Sequence, residues 1–88
     1  MDSVEIRGKV KEIIASVANL DAKKIADDAN LRSDLNLDSL SLLEIGVDVD
    51  FAFKLAIPDL ENQLAQLQTL PQVVDLVEKL LSEKALVA

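Results

Sequence analysis

Residues 19–38 carry no sustained apolar period, although the segments on either side do. This stretch holds Asp21, Asp27, Asp28, Asn30, Ser33, Asp34, Asn36 and Asp38. Such side chains hydrogen-bond to local backbone and favour turns over helix interiors. Its apolar residues, Leu20, Ile25, Leu31, Leu35 and Leu37, are scattered and read as anchors. Loops of this length are uncommon in small domains and are often functional. In a chain of 88 residues, what remains must form short elements that close around the loop. Before it, Ile6, Val10, Ile13, Ile14 and Val17 repeat at the spacing of one helical face, predicting a helix over 3–18. Asp2 and Glu5 resemble a capping box at its start, and Asn19 is its stop.

Residues 39–55 allow two readings. Ile45 to Phe51 alternate loosely and are rich in β-branched residues, as in a strand. Leu40, Leu42, Leu43, Glu44, Ala52, Lys54 and Leu55 on the flanks are helix formers, and seventeen residues is long for a strand. Read as a helix, the segment has two apolar stripes. Leu42, Ile45, Val49, Ala52 and Phe53 form one, with Gly46 at its edge; Leu40, Leu43, Val47 and Phe51 form the other. One stripe suffices to pack a surface helix, so the second needs a partner. Ile57-Pro58-Asp59 ends the segment, and 59–66 fits a short helical turn. Thr69 is an N-cap candidate with Pro71 in the first turn, and Val73, Val74, Val77, Leu80 and Leu81 carry a last helix to about Lys84, ahead of a fraying tail. The expected fold is an all-α bundle of three to four helices with a long first loop.

Composition removes most chemistry. There is no Cys and no His, so disulfides, thiolate metal sites and an unaided thiol or imidazole catalyst are excluded. Two glycines cannot build a phosphate loop, and no serine has the surroundings of a nucleophile elbow. Asp34, Asp38, Glu44, Asp48 and Asp50 do not follow the EF-hand order, so no metal site is expected. Nine basic against sixteen acidic residues give a net charge of −7. Such a surface repels nucleic acid and anionic membrane and attracts basic protein patches. The opening residues lack a signal-peptide pattern and no apolar run is long enough to span a bilayer, so a cytoplasmic protein without membrane insertion is expected.

Ser39 follows Asp38 where the loop meets the second helix. Alone, this pair reads as a helix cap, with either side chain accepting from the first turn. A hydroxyl at a helix N-terminus also suits attachment of a phosphate group, because the dipole favours negative charge there. The wider pattern is more specific. Asp34-Leu35-Asn36-Leu37-Asp38-Ser39-Leu40 resembles the signature of the acyl carrier proteins, in which Asp-Ser-Leu opens the second helix. Glu44, Asp50, Phe53, Ile57-Pro58-Asp59 and Thr69 continue the resemblance in register, over nearly the whole chain.

The resemblance implies that residues 1–88 form one carrier domain, with no catalysis of its own. It implies that a phosphopantetheinyl transferase moves 4'-phosphopantetheine from coenzyme A to the Ser39 hydroxyl, between Asp38 and Leu40. The arm brings the thiol that the chain lacks, and acyl groups ride on it as thioesters. Leu42, Ile45, Val49 and Phe53 become candidate walls of an acyl pocket. Leu40, Leu43, Glu44, Val47, Asp48, Asp50 and Phe51 resemble the docking helix, which would meet basic patches on acyl-loading, condensing and acyl-transferring enzymes. The carrier is expected to be a monomer serving fatty acid, polyketide or related lipid synthesis. Four positions depart from the usual pattern: Asn36 replaces a glycine, Ser41 and Phe51 replace acidic residues, and Gly46 replaces a bulkier core residue. They are compatible with a specialised pathway, such as polyketide or lipid-modifying synthesis, as well as with the general fatty acid synthase. The competing reading is an acidic helical adaptor with no prosthetic group, in which Ser39 only caps a helix and the Leu40, Val47 and Phe51 stripe docks a partner.

Overall fold

The computed structural model describes residues 2–55, 57 and 59–87, with side chains for all of these except Glu61 and residues 84–87. Among the described residues it is all-α: α1 (Ser3–Ala18), a 3₁₀ turn at Ala22–Lys24, α2 (Ser39–Phe53), α3 (Leu60–Ala65) and α4 (Leu70–Val87). The strand alternative at 45–51 is not taken, because the helix-forming flanks and the buried face of α2 act together over fifteen residues.

Local sequence sets the helix ends. The Asp2 carboxylate accepts from Glu5 N at 2.9 Å and starts α1. Asn19 stops it in the left-handed region at φ 59°, with its N–H returning to Ala15 O. Asn tolerates that conformation better than most residues. α2 ends at Phe53, two residues before the expected Leu55, and Lys54 takes the left-handed position at φ 54°. The Lys54 and Leu55 N–H groups both return to Asp50 O, which satisfies that end of the helix. Pro58, the expected break, lies outside the described residues.

α3 is slightly shorter than the expected 59–66, starting after Asp59 at φ 50°. α4 starts in a capping box. Thr69 Oγ1 accepts from Gln72 N at 3.4 Å, and Gln72 Oε1 accepts from Gln68 N at 2.6 Å and Thr69 N at 3.1 Å. The helix runs to Val87, three residues past the expected Lys84, because Ala85, Leu86 and Val87 contain no breaker. Ala88, the rest of the expected frayed tail, lies outside the described residues.

α1 packs on α2 and α4, and α2 packs on α4; among the described residues α3 packs on α2 alone of the helices. Ile6, Val10, Ile14, Leu42, Ile45, Val49, Phe53, Val73, Val74 and Val77 share one core. Burying each such side chain stabilises by about 1.5–3 kcal/mol. The loop adds Ile25, Ala29, Leu31 and Leu37 to that core. Two expected apolar contacts are not made: the loop anchor Leu20 is exposed just past the end of α1, and Ala52 of the first α2 stripe is exposed.

The long loop is tied down at several points. Asn30 Oδ1 accepts from Arg32 N and Ser33 N, and Asp34 accepts from Asn30 N at 2.8 Å. Leu31 N donates to Gln68 O and Leu70 N to Ala29 O, pairing the loop with the chain just before α4 through an Asn30–Thr69 bridge. On the other side, Asp27 meets Arg7 and Lys11 of α1. These contacts draw the Asp27 carboxyl below its usual range, chiefly through the Lys11 hydrogen bond.

Candidate functional site

The end of the loop delivers Ser39 by alternation. Leu37 is buried and its N–H donates to Leu31 O at 3.1 Å. Asn36 makes the bend before it at φ 56°. At this position only glycine avoids the left-handed cost, and Asn is the best substitute. Asp38 is extended and is the N-cap of α2: its carboxylate accepts from Ser41 N at 2.8 Å. That backbone hydrogen bond, with help from the Ser41 hydroxyl, holds the Asp38 carboxyl below the usual carboxylate range. Of the two capping candidates, Asp38 therefore does the capping. Ser39 is the first residue of the helix and is exposed.

Beside Ser39 lies a cavity of about 230 Å³, lined by Arg32, Ser39, Leu42, Leu43, Leu64 and Ala65. An apolar cavity of roughly 150 Å³ accommodates benzene, so this one has room for a short hydrocarbon chain. Of the four residues expected to wall an acyl pocket, Leu42 lines it. Ile45 and Val49 are buried in the main core, and Phe53 lines a separate cleft of about 680 Å³ near the start of α1. Leu43, expected on the docking stripe, is half-buried and lines the Ser39 cavity. Sequence reasoning did not single out Arg32, Leu64 or Ala65 for this site. A signal existed for Arg32, the single basic residue between Lys24 and Lys54.

The second stripe of α2 stands open. Leu40 is 72% exposed, Val47 51% and Phe51 84%. Glu44 and Asp48 are exposed among them. Asp50 is turned to structural use and accepts from Ile57 N at 3.2 Å. Among the described residues, no group of three or more potential ligands gathers to hold a metal ion.

Residues 8–77 match the family model described as the phosphopantetheine attachment site. The chain belongs to the acyl carrier protein family. It is 36% identical over 77 residues to the acyl carrier protein of Rubrobacter xylanophilus, covering 88% of this chain and 93% of that one. It is 34% identical over 79 residues to part of the citrinin polyketide synthase of Monascus ruber, covering 90% of this chain and 3% of the synthase. A solved structure of the acyl carrier protein from Enterococcus faecalis superposes with a TM-score of 0.67 at 28% identity, covering 88% of this chain and 95% of that one.

The acyl carrier is thus a carrier and not an enzyme, and its prosthetic group is 4'-phosphopantetheine. The site suits that group. It offers an exposed hydroxyl at a helix N-terminus, where a phosphodiester charge is favoured, beside an apolar cavity. Among the described residues no helix is long and apolar enough to cross a membrane.

Proposed function

We propose that Ser39 is the attachment residue and that residues 1–88 act as one carrier domain. The observation that carries this reading is a division of labour: Asp38 caps α2, which leaves the Ser39 hydroxyl exposed beside the apolar cavity. In the transfer, Ser39 Oγ bonds to the phosphorus that bears the pantetheine in coenzyme A. The pyrophosphate link breaks, the nucleotide half leaves, and the hydroxyl proton passes to a base of the transferase. The group, once bound, supplies the thiol on which acyl chains are held as thioesters. The protein's own residues present that arm and offer shelter beside it.

The stripe of Leu40, Val47 and Phe51, with Glu44 and Asp48, is the docking face in this reading. Its carboxylates steer basic patches on the transferase and on acyl-loading, condensing and acyl-transferring enzymes, and its apolar side chains make the contact. The carrier works as a cytoplasmic monomer in a specialised lipid or polyketide pathway. Phe51, exposed where the usual pattern is acidic, supports that specialisation.

The deciding experiment is intact-mass measurement after incubation with coenzyme A and a broad-specificity phosphopantetheinyl transferase. The wild type gains one phosphopantetheinyl group and Ser39→Ala gains none. A gain on Ser39→Ala, or no gain on the wild type with several transferases, would overturn the assignment.

A further inference from the structure

Arg32 is a cation left without a counter-charge. It is the single basic residue between Lys24 and Lys54, a span that holds seven acidic residues. Arg7 and Lys11 pair with Asp27, yet among the described residues no carboxylate reaches the Arg32 guanidinium. The acidic residues that follow it in the loop are committed to backbone. Asp34 accepts from Asn30 N and Asp38 from Ser41 N, each at 2.8 Å.

The Arg32 side chain instead lines the cavity beside Ser39. Leu42, Leu43, Leu64 and Ala65 make that lining apolar, and Ser39 and Arg32 are its two members with polar side chains. Local structure fixes their meeting. Asn30 Oδ1 accepts from Arg32 N at 3.0 Å, which shapes the turn that carries the arginine. Leu37 N donates to Leu31 O at 3.1 Å, and both leucines are buried. Arg32 follows one of these anchors and Ser39 stands two residues past the other, so one pair of leucines holds the cation and the hydroxyl as neighbours.

Modification changes the charge at this place. A phosphodiester on Ser39 Oγ adds negative charge beside Asp38, in a chain whose net charge is already −7. Like charges brought together are unfavourable. A guanidinium offers parallel N–H donors to two phosphate oxygens, a fork that an ammonium lacks.

We propose that Arg32 is a positioning residue for the prosthetic group, its guanidinium holding the phosphodiester formed on Ser39 and so tying the base of the arm to the first loop. The proposal rests on Ser39 being the attachment point. Arg32 is thus kept free in the unmodified protein and gains its partner on loading.

The test uses the full chain loaded from coenzyme A, with complete loading checked by intact mass. Two signals are read: the phosphorus-31 resonance of the phosphodiester, and the Arg32 Nε–H resonance before and after loading. In the wild type the Arg32 signal shifts on loading, and the phosphorus signal moves as salt is raised, because salt screens the pair. In Arg32→Gln the phosphorus signal stands near the wild type's high-salt position and responds less to salt. Arg32→Lys, which retains the charge without the fork, lies between the two. Lys24→Gln, which removes the same charge from a residue outside the cavity lining, matches the wild type. A phosphorus signal and salt response alike in the wild type and Arg32→Gln, or an Arg32 signal unmoved by loading, would overturn the proposal while leaving the Ser39 assignment intact. An effect of Lys24→Gln equal to that of Arg32→Gln would also overturn it, by assigning the change to net charge. Failure of the wild type to load at Ser39 would overturn both.

Discussion

Leu64 of α3 fills the space over Gly46 of α2, with its Cδ1 at 2.1 Å from where a Cβ would stand. The contact explains why a glycine sits at a buried, mid-helix position where helix propensity alone favours almost any other residue. Gly46→Ala gains about 1 kcal/mol of helix propensity but overpacks a filled site, which costs typically 1–3 kcal/mol. The apo protein should therefore lose about 1 kcal/mol net in urea unfolding. In the Gly46→Ala/Leu64→Ala double variant the overpacking disappears, so the combined loss should be smaller than the sum of the single losses. Additive losses would show that the two residues do not meet.

Ser39→Ala should leave stability within about 0.5 kcal/mol of wild type, since the side chain is exposed and the cap is Asp38. Thermal melts of the apo forms check this. A loss near 1 kcal/mol would instead assign Ser39 a capping role, as the adaptor reading requires.

Asp38 gives a pH signature. Its folded-state carboxyl titrates below the ordinary value of 3.8 because it accepts from Ser41 N. A depressed carboxyl contributes stability that is complete above the unfolded value and is lost as pH falls through the folded one. Asp27 adds a second contribution of the same sign through Lys11 and Arg7. Circular dichroism melts from pH 6 down through pH 3 should show the wild type losing stability below about pH 4. Asp38→Asn should fall less steeply over that range. Equal slopes in the two proteins would mean that the cap does not depend on the charge.

Asn36 sits at φ 56°. Asn36→Gly should be neutral or slightly stabilising, and Asn36→Ala should cost about 1 kcal/mol, the penalty of the left-handed region. Denaturant midpoints distinguish the two. If Ala were as stable as Gly, the bend would have to be formed otherwise.

Phe51 is 84% exposed and packs in no core. Phe51→Ala should leave the melting temperature unchanged yet weaken docking to the cognate partner by about 1–2 kcal/mol, as aromatic contact residues do. Glu44→Lys should slow loading by a phosphopantetheinyl transferase and reduce its salt dependence, because long-range attraction to a basic patch is screened by salt. Kinetics at two ionic strengths read both effects. An unaffected partner affinity for Phe51→Ala would remove that residue from the face.

Much of the fold was legible in the sequence because periodicity and caps are local. The bounds of α1, the Asn19 stop, the Asn36 bend and the Thr69 start follow from residues within a few positions of each other. Ser39 stood out through a motif whose three neighbours behave differently. Leu37 points inward, Asp38 caps and Ser39 is left outside. What could not be read depends on contacts between distant positions. Leu64 and Ala65 join the cavity only because α3 folds back on α2. Ile45 and Val49 share the apolar stripe with Leu42, but periodicity cannot tell core from cavity wall. Asp50 looked like part of an acidic face until the chain after α2 returned and gave it the Ile57 N–H.

The bridge between Asn30 and Thr69 has a consequence for how such a carrier can diversify. It joins the first loop to the entry of α4, so the long helices and the presentation of Ser39 are fastened on both sides of the α3 segment. The stretch from Asp59 to Leu67 lies between these fastenings and can vary without removing them. The Ser39 hydroxyl and its Asp38 cap stay in place through such variation.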